Sequence, residues 1–135
     1  MNPVELYDDK FFKILWNEAD RVIGIDWKET TASMTDEDFK GELELFVGRV
    51  EEKKARGIII DVKHFRHKLG PGMQEWRVKN ISSRYSAAGV TRFAFVVPGD
   101  RPVPPMMNQS SPGEDFPTRA FHSAEEAICW LAAPA

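Results

Sequence analysis

Gly57-Ile58-Ile59-Ile60-Asp61-Val62-Lys63 is the stretch whose reading decides the fold. Three consecutive isoleucines give an apolar, β-branched run without polar alternation, the pattern of a strand covered on both faces in a sheet flanked by helices. Gly57 reads as the residue that ends a preceding helix, because glycine takes the left-handed backbone without penalty. Asp61 and Lys63 mark the exit toward solvent. The chain then enters Lys63-His64-Phe65-Arg66-His67-Lys68, in which five of six residues are basic or can become so, and Gly70-Pro71-Gly72 breaks it before a new helical pattern. Ligands of open α/β sheets gather beyond the carboxyl ends of the strands. The densest charge cluster of the chain therefore falls where such a sheet binds things.

Upstream, Phe11-Phe12-Lys13-Ile14-Leu15-Trp16 and Arg21-Val22-Ile23-Gly24-Ile25-Asp26-Trp27 read as two strands joined by Asn17-Glu18-Ala19-Asp20, a connection short enough to make an antiparallel hairpin. Ile23, Ile25 and Trp27 share one face, Gly24 and Asp26 the other. Thr35-Asp36-Glu37-Asp38 signals a helix start. Phe39, Leu43, Phe46, Val47 and Val50 then form the apolar stripe of a helix lying on a sheet.

Downstream, Gly72 to Ala88 has an approximate stripe (Met73, Trp76, Ile81, Tyr85, Ala88) that Gly89 can end, and Val90 to Val97 is another buried-type strand. Residues 98–115 contain Pro98, Pro102, Pro104, Pro105 and Pro112, which forbid a long helix or strand. Phe116 to Phe121 reads as a short strand, at an edge because of Pro117. Ser123-Ala124-Glu125-Glu126 is a capping box opening a terminal helix that turns Ala127, Ile128, Trp130 and Leu131 inward. The order β-β-α-β-α-β-loop-β-α predicts one α/β domain over residues 1–135. Its expected core is a mixed, mostly parallel five-stranded sheet with an N-terminal hairpin and flanking helices.

The chain has 135 residues, 42% hydrophobic and 29% charged, with a formal net charge of −3, which argues against a general nucleic-acid binder. Cys129 is the sole cysteine, so neither a disulfide framework nor a multi-cysteine zinc site is available, and it reads as a small packed residue of the last helix. The first residues lack a secretory pattern and no apolar run approaches bilayer length, so the expected compartment is the cytoplasm with no membrane span.

Glu75-Trp76-Arg77-Val78-Lys79-Asn80, Ala87-Ala88-Gly89-Val90, Arg92 to Val97 and the close Phe121-His122-Ser123-Ala124-Glu125-Glu126-Ala127-Ile128-Cys129-Trp130-Leu131 resemble the SpoIIAA-like (STAS-like) family, as does the acidic helix start Met34 to Phe39. The resemblance covers most of the chain and speaks to architecture. It implies a small bacterial α/β domain that self-associates, expected here as a homodimer. The better-known STAS relatives are anti-sigma-factor antagonists switched by phosphorylation of a serine at the start of the helix after the central strand. Val62 through Ile81 contains no serine or threonine, so that switch carries over to no residue here. Relatives with the lipid-carrier fold bind apolar ligands under a mobile element, an analogy for residues 98–115.

Lys63, His64, Arg66, His67 and Lys68, with Gly72 at the following helix start, are candidates to meet a phosphate, a carboxylate or an acidic protein segment; the same cluster also reads as a solvated loop. His64 and His67 offer only two ligands among repelling cations, so no metal and no cofactor is expected. Met106 and Met107 are either a soft contact for a partner or packing onto the body. Trp16 and Trp27 end paired strands and either pack inward or line a groove or dimer contact. No nucleophile elbow or phosphate loop appears, and no catalytic residue is assigned. The expected function is a non-catalytic regulatory or protein-interaction module; the second reading is a carrier holding a small apolar or anionic ligand under residues 98–115.

Overall fold

In the computed structural model, which describes residues 3–133 apart from the side chain of Met106, the strands follow one another across the sheet in the order in which they occur in the chain. β1 (Val4–Asp8), β2 (Phe12–Asn17) and β3 (Val22–Trp27) pair antiparallel, and β4 (Gly57–Asp61), β5 (Arg92–Val96) and β6 (Thr118–Phe121) extend the sheet in parallel from β3. α1 (Asp36–Lys53) joins β3 to β4, and α4 (Ala124–Ala132) follows β6. A helical rod joins β4 to β5, composed of α2 (Met73–Arg77), a π turn (Val78–Ser82) and α3 (Ser83–Ala88).

The hairpin, the central place of the isoleucine strand and the edge position of Thr118–Phe121 match the sequence reading. Thr35 caps α1 reciprocally: Asp38 N–H donates to Thr35 Oγ1 (3.1 Å), and Thr35 N–H donates to Asp38 Oδ2 (3.0 Å). The expected count of five strands is corrected to six among the described residues. β1 is a half-exposed edge with an extra residue bulged between Glu5 and Tyr7, so it shows neither an apolar run nor strict alternation. Gly57 does not cap α1. Lys54 does, in the left-handed conformation (φ 54°), and Gly57 instead opens β4, where a β-carbon would meet Leu131 at 3.3 Å.

The two faces of the sheet are covered unequally. On one, Ile14, Ile25, Trp27, Ile58, Ile60 and Phe93 pack against the buried stripe of α1 and against Met73, Ile81 and Tyr85 of the rod. On the other, α4 lays Ala127 and Leu131 over Val22, Ala94 and Val96. The helix covers β4 to β6 and the start of β3, and beside it Leu15, Gly24, Asp26 and Ile59 border an open groove of about 150 Å³. Ile58 is thus fully enclosed while Ile59 is only half-buried.

One interior expectation fails: Cys129 is exposed. Trp76 and Trp130 pack against the core from its margin, each half-buried, with the Lys40 ammonium over the Trp76 ring and the Arg92 and Arg119 guanidinium groups over the Trp130 ring. Trp16 and Trp27 are buried, 4% and 3% exposed, so both pack inward. Among the described residues no helix is long and apolar enough to cross a membrane.

Close strand approach makes one glycine indispensable. A β-carbon on Gly24 would lie 2.6 Å from Ile59 Cγ2 and 2.8 Å from its carbonyl oxygen. Gly24→Ala is expected to lower stability by about 1–3 kcal/mol, the cost of overpacking. Gly48→Ala, in α1 with nothing within 4 Å of the new methyl, is expected to raise it by about 0.5–1 kcal/mol. Urea unfolding of the two variants checks both signs.

Candidate functional site

The connection from β5 to β6 contains no α-helix. It runs through residues 97–117 with only a short 3-10 turn, Pro105–Asn108, and its Phe116 packs in the same cluster as α1 and the rod. All three crossovers between parallel strands therefore cover the same face, two with helices and the third with a loop. Beneath that loop lies a cavity of about 160 Å³. Ile25, Trp27, Ile60, Phe93 and Phe95 form its floor, Phe39 and Leu43 of α1 one wall, and Gln74, Arg77 and Tyr85 of the rod another. Met107, Gln109, Ser111 and Glu114 roof it. Leu69, 38% exposed, stands at its border. An apolar void of about this size, close to 150 Å³, holds a benzene molecule in another protein.

One buried carboxylate holds the roof. Glu114, 4% exposed, accepts from Ser82 Oγ (2.6 Å) and Arg77 Nη1 (3.3 Å) at one oxygen and from the Ser111 N–H (2.7 Å) at the other. Gln74 Nε2 donates to Ser111 Oγ (2.7 Å), and Ser86 bonds Asp115. Ser82 lies in the π turn, whose extra residue also explains why the apolar stripe of this rod is only approximate. Two polar groups on the walls remain unused. Thr118, 7% exposed, has a buried Oγ1 without a hydrogen-bond partner, and Tyr85, 2% exposed, makes no hydrogen bond through its hydroxyl among the described residues. A buried hydroxyl left without a partner costs about 1–3 kcal/mol. Burial, with no donor to its oxygen, keeps the Tyr85 phenol neutral far above physiological pH.

The segment after β4 contributes its apolar residues to this cavity. Val62, Phe65 and Leu69 line it, Phe65 among the cations and the other two at either end of them. Of the basic candidates, Lys63 is exposed and pairs with Asp61 at 3.5 Å, and His64 is exposed 3.7 Å from Glu29. Arg66 and Lys68 are exposed, but the Arg66 N–H donates inward to Thr31 Oγ1 (2.8 Å). His67 is turned inside, 10% exposed, with Nε2 bonded to Asp36 Oδ1 at 2.8 Å, and the Gly70 N–H donates to the same oxygen (3.2 Å). The His67 hydrogen bond, opposed by slight desolvation, holds Asp36 below the ordinary carboxylate range. Gly72 precedes α2 in the left-handed conformation (φ 81°). The five basic side chains thus do not converge on one point. Met107 lines the cavity; Met106, its neighbour, has a side chain outside the described residues.

Two further acidic clusters stand outside the cavity. Asp26 and Asp61 are register partners on the open face, and burial followed by the nearby Asp61 charge raises Asp26. Among the described residues no group of three or more His, Cys, Asp or Glu is placed to hold a metal ion. At the far side of α1, burial pushes Glu42 up to about 8, helped by its contact with Asp9. Glu42 Oε2 is buried and meets no donor, so the protonated acid is the form that fits, donating to an Asp9 carboxylate already fixed by the Phe11 and Phe12 amides.

The chain matches no family model, no curated protein and no solved structure.

Two predictions follow from these carboxylates. Glu114→Ala is expected to cost about 3 kcal/mol by leaving Arg77 without its partner, and to open residues 98–115 to protease; urea unfolding and mapped limited proteolysis check this. For Glu42, the folded value of about 8 lies above the ordinary 4.5, so its contribution to stability is complete below pH 4.5 and is lost as pH rises through about 8. Glu42→Gln keeps a neutral donor throughout. Its melting temperature is expected to equal the parent's near pH 4.5 and to exceed it at pH 9.

Proposed function

We propose that this chain is a non-catalytic small-ligand-binding domain whose site is the aromatic cavity beneath residues 98–115. The observation that carries the reading is the coincidence of an apolar space with a buried, unpartnered hydroxyl on its wall. Apolar walls with few polar groups are the usual composition of a small-molecule site. Ahead of its apolar anchor Phe116 the roof is attached mainly through polar bonds, so it is the part of the cavity wall best suited to move aside.

This reading takes up the carrier expectation in preference to the interaction module. The cation cluster that motivated a docking surface spends His67 and the Arg66 amide on internal bonds. Membership of the SpoIIAA-like family and homodimer formation belong to the same proposal; the mixed sheet and the apolar site under a loop are compatible with both. Ligand exchange asks for no cofactor.

Titration with benzene, followed by amide nitrogen–proton NMR, tests the site. Shifts are expected at Trp27, Phe65, Phe95 and residues 107–114, and are expected to vanish in Val62→Phe, which fills the cavity from its wall. Saturating benzene without shifts at these residues would remove the reading.

A further inference from the structure

We propose that the cavity selects an uncharged, one-ring molecule bearing a hydroxyl or carbonyl group, and discriminates against the carboxylate of the same size. The inference rests on the ligand-binding reading above and adds the chemical class. It also departs from the anionic alternative that the cation cluster suggests.

Size comes first. About 160 Å³ holds a single ring with a small substituent, and is too little for a long acyl chain. Aromatic side chains from three elements supply the surroundings: Trp27, Phe39, Phe93 and Phe95, with Phe65 from the loop after β4. Charge comes second. Among the described residues that line the cavity, Arg77 is the one base and Glu114 the one carboxylate, and they neutralise each other at 3.3 Å. Glu114 already accepts from three donors, so it has little left to offer a cation. Lys63, Arg66 and Lys68 are exposed and outside the lining, so they do not compensate an anion within it. A carboxylate would lose its water without gaining an unpaired cation, which disfavours it strongly.

The polar requirement comes third. Thr118 sits on β6 opposite Phe93 in the parallel register, and so shares the cavity face. Its Oγ1 is buried without a partner and has no surface open to the cavity, so a neutral ligand oxygen reaches it once the Thr118 side chain turns about χ1. The Tyr85 hydroxyl, also without a protein partner among the described residues, supplies a second donor from the rod across the same space. A ligand oxygen between them would pair with two hydroxyls that bond to no protein group among the described residues.

Fluorine NMR titrations of the full chain with fluorobenzene, para-fluorophenol and para-fluorobenzoate at neutral pH test this, with Thr118→Val as the isosteric variant. The phenol is expected to bind more tightly than fluorobenzene, and the benzoate at least about tenfold more weakly than the phenol. In Thr118→Val the preference for phenol over fluorobenzene is expected to fall by about 2- to 10-fold, the worth of one hydrogen bond. The empty variant is expected to melt no lower than the parent, because the methyl replaces a hydroxyl that had no partner. Benzoate binding as tightly as phenol, an unchanged preference in Thr118→Val, or a lower melting point of the empty variant would overturn the inference while leaving the ligand-binding reading in place. If none of the three probes binds, both fall.

Discussion

A sheet that advances one strand at a time in a single direction must bring every parallel crossover over the same face, since the crossovers share one hand. Two of the three crossovers here, from β3 to β4 and from β4 to β5, supply helices that fill the layer above the sheet. The third, from β5 to β6, supplies a proline-rich loop. A loop with five prolines from 98 to 115 cannot press an amphipathic stripe into the space that a helix would fill. The cavity is what that exchange leaves, and its floor is the inward face of β3 to β5.

The same constraint explains the buried polar network. A roof without an apolar stripe has to be attached by hydrogen bonds, and the π turn of the rod presents Ser82 where Glu114 can take its proton donor. Arg77, one position before that turn, closes the triangle. Loop attachment and cavity lining therefore draw on the same residues, so weakening the first alters the second. At the N-terminus of α1, Asp36 performs a comparable task for residues 66–70 by accepting from His67 and Gly70.

Much of the fold was legible because it is written in local pattern. The isoleucine run, the period-two strand before it, the α1 stripe and both capping residues each state their conformation within a few positions. β1 was not, because a bulged, half-exposed edge strand loses the alternation that identifies one. Of the site, position was legible and chemistry was not. The end of β4 and residues 98–115 do border the cavity, yet the cations dominate the pattern, while Phe65 among them and Val62 and Leu69 at either side do the lining. Their spacing of three and four was the available signal. Thr118 and Glu114 carried none: whether a threonine hydroxyl finds a partner, or a glutamate is buried, depends on residues more than thirty positions away, such as Arg77 and Ser82.

The apolar space under the loop is the feature on which everything functional rests. Crystals pressurised with xenon report on it directly, since xenon enters dry apolar cavities of this size without any chemical recognition. A xenon atom seated among Trp27, Phe65 and Phe95, with residues 98–115 in place above it, is the predicted result. Crystals that take up no xenon, with the loop collapsed onto Phe93 and Phe95, would contradict it.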